Sequence, residues 1–139
     1  MTCVLVIGRD QSASAAIRSL LELEGFEVVV CNDGPAGLRA VESSAFDTVI
    51  IDVFAPQLEG LDTVKAVYER APTVPIIAIA PRKFHDCLGP EQDFLALAAN
   101  FGAAACLYKP LTPRDLVMAV TTCIDDRGRH PAGADGKER

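Results

Sequence analysis

Short apolar blocks alternate with stretches of helical periodicity from one end of the chain to the other. Cys3 to Ile7 is an apolar, β-branched run, the pattern of a buried strand. Gln11 to Glu24 carries Ala13, Ala16, Ile17, Leu20 and Leu21 at helical spacing, and Gly25 follows as a C-terminal cap. Phe26 to Cys31 predicts a second strand, placed at a sheet edge because Glu27 needs water on one side. Asn32-Asp33-Gly34-Pro35 opens a helix to about Ser43, with Pro35 near its first position. Thr48 to Asp52 predicts a third strand, apolar until its last residue. A helix over Leu61 to Arg70 ends before Pro72, and Val74 to Ala80 predicts a fourth strand. Pro90 to Phe101 reads as a helix, Ala104 to Leu107 as a short fifth strand, and Pro113 to Asp125 as a final helix with Leu116, Val117, Val120 and Ile124 on one face.

Strands alternating with helices predict a parallel sheet covered on both sides. Strands 1, 3 and 4 are apolar without alternation, which places them centrally. Right-handed crossovers leave the flavodoxin-like order 2-1-3-4-5 as the expected topology, a (βα)5 three-layer α/β sandwich. In such sheets a site lies beyond the carboxyl ends of the strands, between strands 1 and 3. Residues 1–126 are assigned to this one domain; residues 127–139, rich in glycine, charge and small side chains, read as a flexible tail.

Composition narrows the classes. The chain has 139 residues, 50% hydrophobic and 23% charged, a globular balance. No apolar run approaches the ~20 residues of a spanning helix, and no signal-like segment precedes the first strand, so the expectation is a cytoplasmic protein without membrane contact. Thirteen basic against nineteen acidic side chains give a net charge of -6 with no basic stripe, which argues against direct nucleic-acid binding. Cys3, Cys31, Cys87, Cys106 and Cys123 are odd in number and form no CxxC pair, so they read as reduced structural residues.

The polar residues expected at the carboxyl ends are Gly8-Arg9-Asp10 after strand 1, Asp52 ending strand 3, Ala80-Pro81 after strand 4 and Lys109-Pro110 after strand 5. With them come Pro56 and Gly60 after Asp52, the Gly102-Ala103 lead-in to Leu107-Tyr108-Lys109-Pro110, and Leu20-Leu21-Glu22-Leu23-Glu24-Gly25-Phe26-Glu27-Val28. Taken together over residues 3 to about 125, these segments resemble a response-regulator receiver domain of the chemotaxis-Y type. The resemblance implies that Asp52 accepts a phosphoryl group from a histidine kinase or phosphotransfer protein. It also implies that Lys109 supplies a compact positive charge to the phosphate site, and that Lys109-Pro110 is a candidate cis peptide. It implies a signalling function in a two-component or phosphorelay pathway, not an enzyme, acting through a downstream protein partner or through a second copy on the face of helix 4, strand 5 and helix 5. No output segment follows helix 5, and a stand-alone receiver is expected.

The sequence departs from the family pattern at linked positions. The two acids that hold magnesium in the family fall on Gly8 and Arg9. Gly8 has no ligand atom, and Arg9 carries a fixed positive charge. Asp10 matches the next position and reads as an N-cap of the first helix, leaving at most weak magnesium binding at Asp52 and Asp10. The family's hydroxyl after strand 4 falls on Ala80, and its strand 5 switch aromatic on Cys106. An atypical receiver is therefore expected, with no cofactor and weak or metal-independent phosphorylation. Arg9 can clamp phosphoryl oxygens or pair with Asp52; a permanent cation beside a carboxylate forms the pair first, so an Arg9–Asp52 pair is the favoured expectation.

Two rival functions stay open: a conventional magnesium-dependent phosphoacceptor, and a small flavodoxin-like cofactor binder, against which the lack of tryptophan and of a glycine-rich phosphate loop speaks. Ser12 and Ser14 read as helix-start residues. The stretch from Pro81 to Pro90 is longer than usual in the family and reads as a surface loop or a docking segment anchored by Phe84 and Leu88; His85 and Cys87 are too few for a metal site.

Overall fold

The structure, a computed structural model, describes residues 2–53, 59–81 and 94–129. Pro56, residues 82–90 with the expected loop residues Phe84, His85, Cys87 and Leu88, the expected start of the fourth helix at 90–93, and residues 130–139 of the expected tail lie outside the described residues. In chain order the elements are β1 (Cys3–Ile7), α1 (Gln11–Leu23), β2 (Glu27–Cys31), α2 (Gly34–Ser43), β3 (Thr48–Asp52), α3 (Glu59–Arg70), β4 (Ile76–Pro81), α4 (Phe94–Phe101), β5 (Ala105–Lys109) and α5 (Pro113–Arg129). The sheet is parallel, in the order β2-β1-β3-β4-β5, with β2 at an edge as Glu27 implied.

Alternation along the strands sorts side chains onto two faces. Val4 and Val6 of β1, Ile50 of β3 and Ile77 and Ile79 of β4 pack with Ile17 and Leu21 of α1 and Leu116 and Val120 of α5. Leu5, Ile7, Val49, Ile51, Ala78 and Ala80 pack on the other face with Val64 and Val67 of α3 and Ala98 of α4. Each fully buried aliphatic side chain contributes about 1.5–3 kcal/mol relative to exposure. Central strands apolar on both faces are the direct consequence of helices on both sides.

The helix ends follow local chemistry. The Asp10 side chain accepts from Ala13 N at 3.2 Å and caps α1, and Asp33 caps α2 by accepting from Ala36 N at 2.8 Å. Gly25 (φ +93) closes α1, and Gly102 (φ +116) turns the chain from α4 into β5. An added Cβ at Gly102 would stand 2.5 Å from Cγ of Tyr68. Gly102→Ala is therefore expected to destabilise the fold by about 2 kcal/mol, combining left-handed backbone cost with displacement of the ring; a denaturation midpoint unchanged from wild type would contradict this.

Three boundaries differ from the expectation in ways that matter. β5 runs through Lys109 instead of stopping at Leu107, because Tyr108 and Lys109 pair with Ala80 and Pro81 of β4. α3 starts at Glu59, two residues before Leu61. α5 continues through Arg129, so residues 127–129, expected to open the tail, extend the last helix.

Candidate functional site

Strand parity decides which side chains meet at the carboxyl edge. Gly8 continues the Val4, Val6 side of β1, Asp52 the Ile50 side of β3, and Lys109 the Ala105, Leu107 side of β5, so all three belong to the face covered by α1 and α5. Ala80, Cys106 and Tyr108 belong to the opposite face, packed in or against the core under α3 and α4. The expected rim residues thus divide into two groups with the sheet between them.

Asp52 is the buried acid of the edge, its side chain 5% exposed. Lys109 reaches across the end of β4 and donates from Nζ to Asp52 Oδ2 at 2.9 Å. Its four-carbon stem keeps the ammonium partly in water, 30% exposed, while neutralising the carboxylate. Burial pushes the Asp52 carboxyl above the usual carboxylate range; the hydrogen bond and charge of Lys109 pull it back, and the negative charge of Asp10 raises it again. The Lys109–Pro110 peptide is cis.

The favoured Arg9–Asp52 pair is corrected by this geometry: the cation hydrogen-bonded to the carboxylate is Lys109. Arg9 follows Gly8 on the other side of the chain. It is exposed, and it lines a recess of about 280 Å³ together with Asp33, Asp62, Thr63 and Asp52, between the starts of α2 and α3. Three acids share that recess with one guanidinium, so its charge is not directed at Asp52 alone.

The donor set does not fit a magnesium ion. Gly8 offers no side-chain oxygen, Arg9 is cationic, Asp10 is engaged in capping α1, and Asp52 already holds an ammonium. Among the described residues no cluster of His, Cys, Asp or Glu is placed to hold a metal. Ala80 is fully buried without a hydroxyl. Cys106 is half-buried against the α3–α4 core and makes no disulfide; Cys3, Cys31 and Cys123 are likewise free of disulfides.

Sequence reasoning missed one residue. Ser14, read only as a helix-start residue, is 1% exposed. It shares the i, i+3, i+7 stripe of Ile17 and Leu21 that faces the sheet. A serine on that apolar stripe was the available signal. A Cβ built on Gly8 would lie 3.1 Å from Ser14 Oγ, 3.1 Å from Asp52 Cβ and 3.8 Å from Asp52 Oδ2, so Ser14 and Asp52 both border the space next to Gly8.

Comparison with known proteins agrees with the fold and extends it. The family model described as "Response regulator receiver domain" matches residues 4–121. The chain is 33% identical over 124 residues to the "Transcriptional regulatory protein CpxR" of Escherichia coli, covering 89% of this chain and 50% of that protein. It is 32% identical over 137 residues to the "Sensory transduction protein RegX3" of Mycolicibacterium smegmatis, covering 97% and 56%. The chain spans about half the length of these curated relatives. Among solved structures, a response regulator receiver domain protein from Clostridium thermocellum matches with TM-score 0.79 and 28% identity over 93% of this chain and 98% of that one. The chemotaxis protein CheY4 of Vibrio cholerae matches with TM-score 0.75 and 26% identity over 88% and 98%. Among the described residues no helix is long and apolar enough to cross a membrane. A five-stranded sheet of this order, an aspartate ending its third strand and a lysine reaching it from the fifth, together with a family match over most of the chain, show that the protein belongs to the response regulator receiver domains of two-component signalling.

Proposed function

We propose that this chain receives a phosphoryl group on Asp52 from a phosphohistidine of a histidine kinase or phosphotransfer protein, without a metal ion. The observation that carries this reading is the Asp52–Lys109 pair, a buried carboxylate at the carboxyl edge of β3 held by an ammonium at 2.9 Å. A carboxylate oxygen attacks phosphorus, the P–N bond of the donor breaks, and the leaving imidazole takes up a proton, giving an acyl phosphate. The compact ammonium of Lys109 then moves its hydrogen bond toward the new phosphoryl oxygens. With Gly8 and Arg9 in place of acids, charge stabilisation in the transition state comes from Lys109.

The chain acts as a switch, not as an enzyme with a small-molecule substrate, and its output passes to a downstream protein or to a second copy through the α4–β5–α5 face. A net charge of -6 supports protein partners over direct contact with nucleic acid, and the cytoplasm is where such partners are met. Incubation with a small phosphodonor such as acetyl phosphate, followed by intact mass and peptide mapping, tests the assignment. One phosphoryl adduct on Asp52, absent in Asp52→Asn, is expected. An unmodified Asp52, with this donor and with a phosphohistidine donor alike, contradicts it.

A further inference from the structure

The sheet ends on an open edge at β2. Among the described residues no strand pairs with its outer side. Glu27 N donates to Thr2 O at 2.8 Å and Gly8 N donates to Cys31 O at 3.0 Å, so the backbone groups of the odd-numbered residues of β2 face β1. Those of Val28 and Val30 therefore point outward, two N–H and two C=O groups within reach of one extended chain. The side chain of Val29, on the face opposite Val28 and Val30, stays 40% exposed. It borders a recess of about 560 Å³ at the amino end of β1 and β2, lined also by Cys3, Phe46, Glu27 and Asp47. Both charged side chains of this recess are acids. Asp47 Oδ2 already accepts from Cys3 N at 2.9 Å, which leaves Glu27, exposed on the edge strand itself, as the acid a newcomer meets first.

We propose that the β2 edge and this recess form a docking strip for an extended basic segment of a partner protein, added to the sheet as a further strand. Main-chain hydrogen bonds to Val28 and Val30 hold the segment, and a lysine or arginine lays its aliphatic stem on Val29 and carries its charge to Glu27. Charge selects the occupant. The chain carries a net charge of -6, and Glu24 stands just ahead of the strand. Arg39 lies near Cys31, at the end of β2 away from the recess. A second copy of this chain would bring the same acids to the edge, and like charge opposes that pairing. Edges are commonly blunted by a bulge, a proline or a lysine. β2 pairs with β1 without a bulge and contains neither residue, and its one charge, Glu27, attracts a cation. The recess opens at the end of the sheet opposite Asp52, and β1 separates β2 from β3, so docking does not rest on the phosphorylation proposed above.

Titration of the full, unphosphorylated chain with a soluble peptide of alternating lysine and threonine, followed by amide NMR shifts, tests it. Saturable binding is expected, with the largest shifts at Cys3, Val28, Val29 and Val30 and little change around Asp52. Glu27→Lys, an exposed charge reversal, is expected to weaken binding by about tenfold or more. A peptide with glutamate in place of lysine is expected not to bind. Val30→Pro removes one outward N–H, a placement that an edge strand tolerates, and is expected to weaken binding to a similar degree. Should Val30→Pro fail to fold, hydrogen exchange of the wild-type complex decides in its place: slowed exchange of the Val28 and Val30 amides supports the added strand, and unchanged exchange overturns it. Absence of binding, or shifts centred elsewhere, would overturn the proposal. Binding that falls with Glu27→Lys but not with Val30→Pro would reduce the strip to a charged patch and overturn the added strand. Self-association of the peptide-free chain that Val30→Pro abolishes would assign the edge to a second copy and overturn the proposal as well.

Discussion

Gly8→Asp and Arg9→Asp introduced together are expected to make phosphorylation of Asp52 magnesium-dependent and faster by about 100-fold or more in saturating magnesium. Residue 8 is built into the site: its Cβ vector ends 3.8 Å from Asp52 Oδ2, so a carboxylate there reaches the same volume as the phosphoacceptor. Residue 9 carries the only fixed positive charge of the β1–α1 turn, and its replacement turns repulsion of a cation into attraction. A Lewis acid at the phosphoryl oxygens contributes several kcal/mol, and each decade of rate corresponds to about 1.4 kcal/mol. A Cβ there stands 3.1 Å from Ser14 Oγ and Asp52 Cβ, so both neighbours must give by a few tenths of an ångström to admit the new side chain. The readout is the initial rate of adduct formation by mass, with magnesium or with chelator. Either single variant should gain much less, since octahedral magnesium needs more than one protein oxygen beside Asp52. A double variant indifferent to magnesium would contradict the reading that Gly8 and Arg9 are what keep the metal out.

Lys109→Met is expected to destabilise the fold at neutral pH by about 2–3 kcal/mol, somewhat below the ~3–5 kcal/mol of a fully buried pair, because the ammonium end is 30% exposed. The effect depends on pH with a definite sign. Burial already raises the Asp52 carboxyl above its unfolded value, with Lys109 opposing that rise. A group with a raised folded pKa gives its full stabilisation below the unfolded pKa, about 3.9 for aspartate, and loses it as pH climbs through the folded value. Removing Lys109 raises the folded value further and deepens the loss at neutral pH. Below the carboxylate range Asp52 is protonated and needs no cation. The difference between Lys109→Met and wild type should therefore shrink as pH falls from 7 toward 4, and Asp52→Asn added to Lys109→Met should recover most of it. Urea titrations at the two pH values measure this; an equal loss at both would mean that Lys109 acts through its stem and not through its charge.

Much of the fold was legible because its signals are local. The apolar runs of β1 and β3 match the observed strands residue for residue, and the cap residues Asp10, Asp33, Gly25 and Pro35 fall where their side-chain and backbone chemistry requires. β5 was cut short at Leu107 because Tyr108 and Lys109 look polar in sequence, whereas their strand character comes from pairing with Ala80 and Pro81. The site was legible as a list and not as a geometry. A strand apolar on both faces carries no mark of which side each residue takes. Parity nevertheless separates Gly8, Asp52 and Lys109 from Ala80 and Cys106, and it directs Arg9 away toward α2 and α3. An Arg9–Asp52 pair follows from charge and a shared rim, but not from face. A serine near a helix start has an ordinary explanation in sequence; for Ser14 its place in the Ile17–Leu21 stripe contradicts that explanation.

The most direct measurement is the rate of phosphoryl adduct formation on wild-type Asp52, followed by intact mass with excess magnesium and again with a chelator, Asp52→Asn serving as the blank. Rates equal within a factor of about two, corresponding to less than ~0.5 kcal/mol in the barrier, are expected for a site that Lys109 neutralises without a metal. A rate that collapses by tenfold or more on chelation would contradict it and make this a conventional magnesium-dependent receiver despite Gly8 and Arg9.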